Sequence, residues 1–307
     1  MTRTTLIVNA AKSDAKAAAA VHETVAEAFA EAGWPKPEMV MTTAADSGTG
    51  LARAAVASGA ELVVACGGDG TVNAVAEALA DTGVPLGVLP LGTGNLLAAN
   101  LEIPHRLEEA VAVLVHGTDR RIDLGGAGER VFVGMAGLGL DAAMIADASE
   151  PLKARVGWLA YVPSIVRHLG DRGERITLRL DGRRVRHSRV KALIVGNVGR
   201  LHAGIDLLPD ARPDNGSLDV VVLEPQGGLA SWAGVALRLL LRRDGPPISR
   251  YRARTVEART RRPVAIELDG DPYRTATALS VRVRPGALLV RTPVPPSAAQ
   301  AGGEVHP

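Results

Sequence analysis

The one carboxylate that stands at the end of an apolar run in the first third of this chain is surrounded by glycine. The stretch Glu61 to Leu79, ELVVACGGDGTVNAVAEAL, runs five apolar residues into Gly67-Gly68-Asp69-Gly70-Thr71. Val72, Val75, Ala76 and Leu79 then recur at i, i+3, i+4 and i+7, the spacing of one helix face. Strand, glycine turn and helix in that order aim backbone N–H groups and the positive end of a helix dipole at whatever lies above the strand, and phosphate is the usual occupant. An Asp-Gly hairpin is the competing reading, and the helical spacing argues against it. The arrangement occurs again after the next apolar run, where PLGVLPLGTGNLLAANL places Gly92-Thr93-Gly94-Asn95 before another helix-like segment. Two such turns at the carboxyl ends of successive strands point to a crevice ligand far more specifically than one. No Lys-Ser/Thr follows the last glycine, so this is not a Walker loop, and the spacing is not the G-x-G-x-x-G of a dinucleotide fold. Phosphate charge must then be offset by backbone amides, helix ends and a metal ion. Asp69 is the carboxylate to hold Mg²⁺, directly or through water.

The elements that position these turns repeat. TLIVNA, EMVMTT, ELVVAC and PLGVLP are short apolar runs, each followed by a turn and a helix-like segment, which predicts a parallel sheet with helices on both faces. From about Arg120 the pattern changes to period-2 alternation. RITLRLDGRRVRHSRV carries Asp181-Gly182 between two strand-like arms, a strong hairpin signal, and LDVVVLEP, RPVAIELDGD and ALSVRVRPGALLVRT continue the style. Two helices interrupt them, LKARVGWLAYVPSIVRHLG and LASWAGVALRLLLRR. The expected organisation is an α/β domain over 1–121, a mainly antiparallel β-sandwich or flattened barrel over 122–292, and a disordered Pro/Gly/Ala-rich tail over 293–307.

Composition narrows the partners. The 307 residues are 47% hydrophobic, enough for a full core, and no apolar run is long enough to span a bilayer or form a signal-peptide core, so a cytosolic chain is expected. The single cysteine, Cys66, excludes an internal disulfide framework and reads as a small core residue. A net charge of +2 hides an asymmetry: residues 1–150 hold 9 Lys+Arg against 19 Asp+Glu, whereas 151–262 hold 22 against 10. The basic stretch is either a solvated face or a surface for anionic lipid headgroups. Nucleic acid is disfavoured, because 3% aromatic residues leave few stacking platforms.

GGDGTVNAVAEAL followed by PLGTGN resembles the catalytic domain of the diacylglycerol kinase family, in particular the soluble bacterial lipid kinases related to sphingosine and ceramide kinases. The likeness runs from LIVNA to the last strand. It implies a nucleotide domain of NAD-kinase and phosphofructokinase type followed by a β-sandwich lipid domain. It also implies ATP and Mg²⁺ as cofactors, with Gly67, Gly68, Asp69, Gly70, Thr71, Asn73 and Thr93 around the phosphates and Asn9 and Thr42 near the nucleotide. Gly92, Gly94 and Asn95 complete the second turn. In the same way Lys153, Arg155 and Tyr161 would border the cleft or a lipid entrance. Arg212 and Ser217, through backbone oxygens, and Asn215, through its side chain, would hold a structural Mg²⁺. The ELDGDPY segment stands where the family shows Asp-Gly-Glu, which assigns Asp271 as the general base on a lipid hydroxyl.

This chain departs from the family at several of these positions. Asp271 is one methylene shorter than the family glutamate, Asn215 stands where the family has Asp, and Gly134 where asparagine is common. The Asn-Pro-x-x-G-like turn appears as NAAKSDAK, leaving Asn9 and the possibility that Lys12 or Ser13 meets phosphate. The expected function is an ATP-dependent lipid kinase acting on diacylglycerol or a related lipid at the inner membrane face, with its basic domain on anionic lipid and a homodimer allowed by an exposed sheet edge. Two alternatives stand beside it: an NAD kinase, which shares the Gly-Gly-Asp-Gly turn, and a non-catalytic nucleotide or lipid sensor of the same fold.

Overall fold

Thr4–Val8 is β-branched and aliphatic and every one of its residues is buried, the signature of a strand covered on both faces (β1). Asp14 then caps the helix Ala15–Glu31 (α1) by accepting from the Ala17 N–H at 2.7 Å, and the helix buries Ala18, Val21, Val25 and Phe29. Gly33, at φ 72°, ends it and lets Trp34 pack edge-on against Phe29 at 5.0 Å. The alternation continues through Glu38–Met41 (β2), Thr49–Ala57 (α2), Leu62–Gly67 (β3), Asp69–Leu79 (α3), Leu86–Pro90 (β4), Leu96–Asn100 (α4) and Leu107–His116 (α5). The computed structural model describes residues 2–92, 95–139, 173–199, 207–226, 229–240 and 245–295. The expected helix at LKARVGWLAYVPSIVRHLG and nearly all of the expected disordered tail lie outside them.

The strands β4, β3, β1 and β2 lie side by side and parallel, with Ile7 opposite both Val40 and Ala65, and Ala65 opposite Val88. Leu6, Val8, Leu62, Val64 and Leu89 meet Phe29 of α1 and Leu114 of α5 in one core cluster.

A second compact unit begins at Asp123. Its described elements are Thr118–Ala127 (β5, entering from the first unit), Arg130–Phe132 (β6), Met135–Gly139 (β7), Glu174–Leu180 (β8), Arg183–Val190 (β9), Ala192–Gly196 (β10), Leu218–Leu223 (β11), Leu229–Leu240 (α6), Ile248–Ala253 (β12), Thr255–Leu268 (β13) and Asp271–Thr292 (β14). The order β12-β11-β10-β7-β13 is antiparallel throughout. β13 serves two sheets: Val256 to Thr260 pair with β8, and Ile266 to Leu268 pair with β7. The irregularity between Arg259 and Val264 contains Pro263, which has no N–H to give to a ladder. The result is the expected antiparallel sandwich, filled by Leu178, Leu193, Val220, Val256 and Val281 among others.

One boundary differs from the sequence reading, which ended the second domain at 292. From Ala287 the described chain belongs to the first unit, because the end of β14 extends the parallel sheet, Val290 opposite Leu86. Asp81 N–H donates to Ala287 C=O at 2.7 Å and Arg291 pairs with Asp119 at 2.8 Å, which fixes the return.

The β8–β9 hairpin turns on Asp181 (φ 47°) and Gly182 (φ 85°), as the Asp-Gly pair predicts. The Asp181 carboxylate accepts from Arg254 N–H at 3.0 Å and from the Thr255 N–H at 2.8 Å and hydroxyl at 3.0 Å. Burial pushes its carboxyl up, but these donors and the Arg254 charge outweigh that and hold it below its ordinary value. A depressed carboxyl contributes stability that is present above its unfolded value and lost as pH falls through the folded one. Asp181→Asn keeps the turn geometry and removes the charge. Urea titrations should therefore show a wild-type advantage that is constant from about pH 5 upward and closes below about pH 4; an advantage that persists unchanged into acid would mean the charge contributes nothing.

Candidate active site

The parallel register brings four strand ends to one edge. Val8 lies opposite Met41 and Cys66, and Gly67 opposite Pro90, so the residues that follow, Asn9, Thr42, Gly68 and Leu91 with Gly92 next to it, emerge together. Their backbones stay tied to the ladder: Asn9 N–H donates to Cys66 C=O, Thr42 N–H to Val8 C=O and Leu91 N–H to Gly67 C=O, each at 2.9 Å. Side chains then cross between strands. Asn9 Nδ2 donates to Thr71 Oγ1 at 2.6 Å, and its Oδ1 accepts from Ala11 and Lys12 N–H. Thr42 Oγ1 accepts from Ala10 N–H at 3.1 Å. Ser13 is buried and Lys12 exposed, so of the two only Lys12 faces solvent.

What the sequence presents as a five-residue glycine loop is a sharp elbow. β3 runs to Gly67, and α3 begins at Asp69 with Gly68 as its cap, so Asp69, Gly70 and Thr71 form the first helical turn. The glycines here have two different causes. A Cβ on Gly67 would sit 3.0 Å from Thr71 Cβ and 3.1 Å from Asn9 Cβ, and one on Gly92 would sit 3.1 Å from Gly68 Cα. Those two are small because the protein itself presses on them. A Cβ on Gly68 or Gly70 would meet no atom of the described residues beyond its own chain neighbours and helix within 4 Å. Gly68 is extended (φ −96°, ψ −173°), a conformation open to any residue. Among the described residues, neither a crowding neighbour nor the backbone conformation requires glycine at Gly68, so the α3 N-terminus is open on that side.

Asp69 ties the two turns together. Its Oδ1 accepts from the Leu96 N–H at 2.6 Å, so one carboxylate heads α3 and caps the first residue of α4. Asn95, left-handed at φ 41°, donates from Nδ2 to Gly92 C=O at 2.8 Å; it is buried, and its Oδ1 has no hydrogen-bond partner among the described residues. Asn73 lies half-buried on the second turn of α3, while Thr93 and Gly94 lie outside the described residues. Cys66 lies wholly buried behind the elbow, and burial pushes its thiol up to about 12, which removes it as a nucleophile. Among the described residues no three His, Cys, Asp or Glu side chains cluster into a metal cage. A cation at Asp69 would draw its other ligands from phosphate oxygens and water, which is the habit of Mg²⁺.

In the second unit the ELDGD segment is a hairpin turn between β13 and β14, with Asp269 at φ 51° and Gly270 at φ 88°. Three carboxylates line it, in three settings. Glu267, 1% exposed, accepts from Gly270 N–H at 2.6 Å. Asp269 gathers three backbone donors, Val133 and Gly134 at 2.7 Å and Met135 at 2.9 Å. Asp271 is exposed at the head of β14. Gly134, where asparagine is common in the family, acts through its backbone alone: its N–H donates to Asp269 and its C=O accepts from Asn197 N–H at 2.8 Å. Sequence reading passed over Glu267 and Asp269, although both stand in the quoted motif.

It also missed Asp123, 3% exposed, whose carboxylate accepts from Gly216 N–H at 2.6 Å and Gly286 N–H at 2.8 Å. No local signal marks it, since both partners are distant in sequence. Its bond to Gly216 anchors the segment in which a structural Mg²⁺ was expected. There Asn215 Oδ1 accepts from the Ser217 N–H at 3.0 Å and hydroxyl at 2.7 Å, a side-chain turn that already occupies the atom assigned to the metal, and Arg212 is exposed. Lys153, Arg155 and Tyr161 lie outside the described residues.

Residues 3–127 match the family described as the diacylglycerol kinase catalytic domain, and residues 134–292 the YegS C-terminal NAD kinase beta sandwich-like domain. A protein of Pseudomonas putida named "Probable lipid kinase YegS-like" is 35% identical over 266 residues, covering 86% of this chain and 87% of its own. The chain belongs to the YegS-like lipid kinase family. A second member of that name, from Stenotrophomonas maltophilia, is 33% identical over 252 residues, covering 78% and 81%. The YegS-like fold is seen in a crystal structure of a diacylglycerol kinase from Bacillus anthracis, with TM-score 0.76, 20% identity and coverage of 96% of this chain and 98% of that one. A yeast NADH kinase shares it more distantly, with TM-score 0.54 and 9% identity over 99% and 87% of the two chains.

The two kinds of glycine separate in experiment. Gly68→Ala should melt within about 1 kcal/mol of wild type yet lower kcat/KM for nucleotide on the order of tenfold or more. Gly67→Ala should lose about 1–3 kcal/mol of stability, because its Cβ presses on Thr71 and Asn9. Unchanged kinetics in a folded Gly68→Ala protein would show that nothing approaches the elbow.

Proposed function

We propose that this kinase transfers the γ-phosphate of ATP to the hydroxyl of diacylglycerol or a closely related lipid, with Mg²⁺. The observation that carries the reading is the open space at Gly68 and Gly70 beside the Asp69 carboxylate and the N–H groups that open α3. Phosphate oxygens fit there: the amides donate, the helix dipole favours negative charge, and Asp69 is placed to hold a cation that screens the phosphates. When bound, Mg²⁺ supplies neutralisation of charge on the transferring group. Asn9 and Thr42 hold the neighbouring strand ends in place, and Asp69, through Leu96 N–H, keeps the second turn in register with the first.

Asp271 is the acid–base residue in this reading. Glu267 accepts from Gly270 N–H within the turn, Asp269 ties the turn to Val133, Gly134 and Met135, and of the three carboxylates Asp271 is the exposed one. It takes the proton from the lipid hydroxyl as that oxygen attacks the γ-phosphorus in line and the bond to the β–γ bridging oxygen breaks, releasing ADP. The shorter side chain reaches about 1.5 Å less than glutamate would, so the hydroxyl must approach the hairpin more closely. A lipid substrate stays partly in its bilayer, so the enzyme meets it as a peripheral protein on the inner membrane face. No helix among the described residues is long and apolar enough to cross a membrane.

Radiolabelled ATP with diacylglycerol, monoacylglycerol, ceramide and sphingosine in mixed micelles, and NAD in parallel, tests the reading. A phosphorylated lipid is expected and NAD should stay unmodified. Asp69→Asn, which can still accept from Leu96 N–H, and Asp271→Asn should each lose about 10²–10³ in kcat while keeping the wild-type melting transition. Phosphorylation of NAD alone, or of none of these acceptors, would sink the proposal.

A further inference from the structure

β9, β8, β13 and β14 form a four-stranded antiparallel sheet whose inner residues, Ile176, Leu178, Val256, Ala258, Leu279 and Val281, are buried in the core of the second unit. The alternating positions therefore point outward. Six of them are arginines: Arg175 and Arg179 on β8, Arg184 and Arg186 on β9, Arg259 on β13 and Arg282 on β14, all exposed. Their places follow from register. Arg186 lies opposite Thr177, which lies opposite Arg259; Arg184 lies opposite Arg179, which lies opposite Glu257; Thr255 lies opposite Arg282. With strands about 4.8 Å apart and alternate residues about 6.7 Å apart, this is a flat lattice of guanidinium groups. Two carboxylates stand in those rows: Glu257, 3.8 Å from Arg179, and Asp181, which the Thr255 hydroxyl meets at the end of the hairpin.

Such a lattice is unfavourable on its own. Like charges directly opposite on neighbouring strands destabilise a sheet, and Arg179 faces Arg184 in that relation. The small or polar residues between the arginines, Thr177, Thr255, Ala278 and Ser280, include no aromatic platform for a base to stack on and no bulky apolar side chain to insert. What fits is a planar array of phosphates read through charge and paired guanidinium hydrogen bonds. We propose that the outer face of β9-β8-β13-β14 is the docking surface of this protein for an anionic phospholipid bilayer. For the identity of its partner the assignment rests on the lipid-kinase reading above; the face itself rests on register and exposure. The occupant is the headgroup layer, and binding is electrostatic, so it weakens as salt rises.

The test is sedimentation of the full-length protein with vesicles of phosphatidylcholine, pure or mixed with phosphatidylglycerol, in the absence of nucleotide. Wild type should pellet with the mixed vesicles and not with the pure ones. Replacing Arg184, Arg186 and Arg259 together by Gln should weaken partitioning about a hundredfold, roughly fivefold for each charge removed near the surface. The Lys triple variant should keep most of it, and Arg53→Gln, on α2 of the first unit, should change nothing. Equal pelleting of wild type and the Gln variant overturns the proposal. So does tighter, arginine-dependent binding of a duplex or single-stranded oligonucleotide. Because no turnover is measured, vesicle binding that depends on these arginines in a protein that phosphorylates no lipid would sink the proposed function and keep this surface. Micellar activity with arginine-independent vesicle binding would do the reverse.

Discussion

One hydrogen bond, from the Leu96 backbone N–H to the Asp69 carboxylate, holds the paired turns of the first unit in a common frame. It works because the parallel register has already brought β3 and β4 to the same height, Gly67 opposite Pro90. Neither helix start would otherwise have reason to face the other: α4 is a single short turn whose cap, Asn95, is in a left-handed conformation and offers no side-chain bond to its own helix. Asp69 thus has a structural duty in both turns, and its bond to the Leu96 N–H fixes the orientation of the carboxylate.

The second unit uses carboxylates differently. Asp269 and Asp123 each collect backbone N–H groups from remote segments, so they act as buried or half-buried staples, Asp269 for the β6–β7 connection and the start of β7, Asp123 for the turn at Gly216 and for β14. The hairpin at Asp269-Gly270 is a conventional turn in φ and ψ, and yet it is also the element that presents Asp271. Turn and candidate base are the same object here.

The fold was legible from the sequence wherever periodicity is local. The βα alternation, the Asp181-Gly182 hairpin and the antiparallel texture of the second unit all follow from residues within a few positions of one another. The paired glycine turns were legible for the same reason. What escaped was long-range. Nothing near Asp123 announces Gly216 and Gly286 as its partners, and nothing near Leu86 announces Val290. The difference between Gly67 and Gly68 was equally hidden, because both are simply glycine in a string; only the neighbours of the absent Cβ atoms distinguish a residue crowded by its own protein from one with open space beside it. Clustered arginines were visible as a count, but their arrangement as a face depends on cross-strand register.

β14 begins at the Asp271 hairpin of the second unit and ends as a strand of the parallel sheet of the first. This has a consequence for the order in which the protein can be made. While the chain is being synthesised, β4 emerges early with one edge open, and the segment that covers it is among the last described residues to appear. The α/β unit is therefore first to be translated and last to be closed. Its unpaired edge must stay out of intermolecular pairing throughout that interval, a problem of timing and not of equilibrium stability.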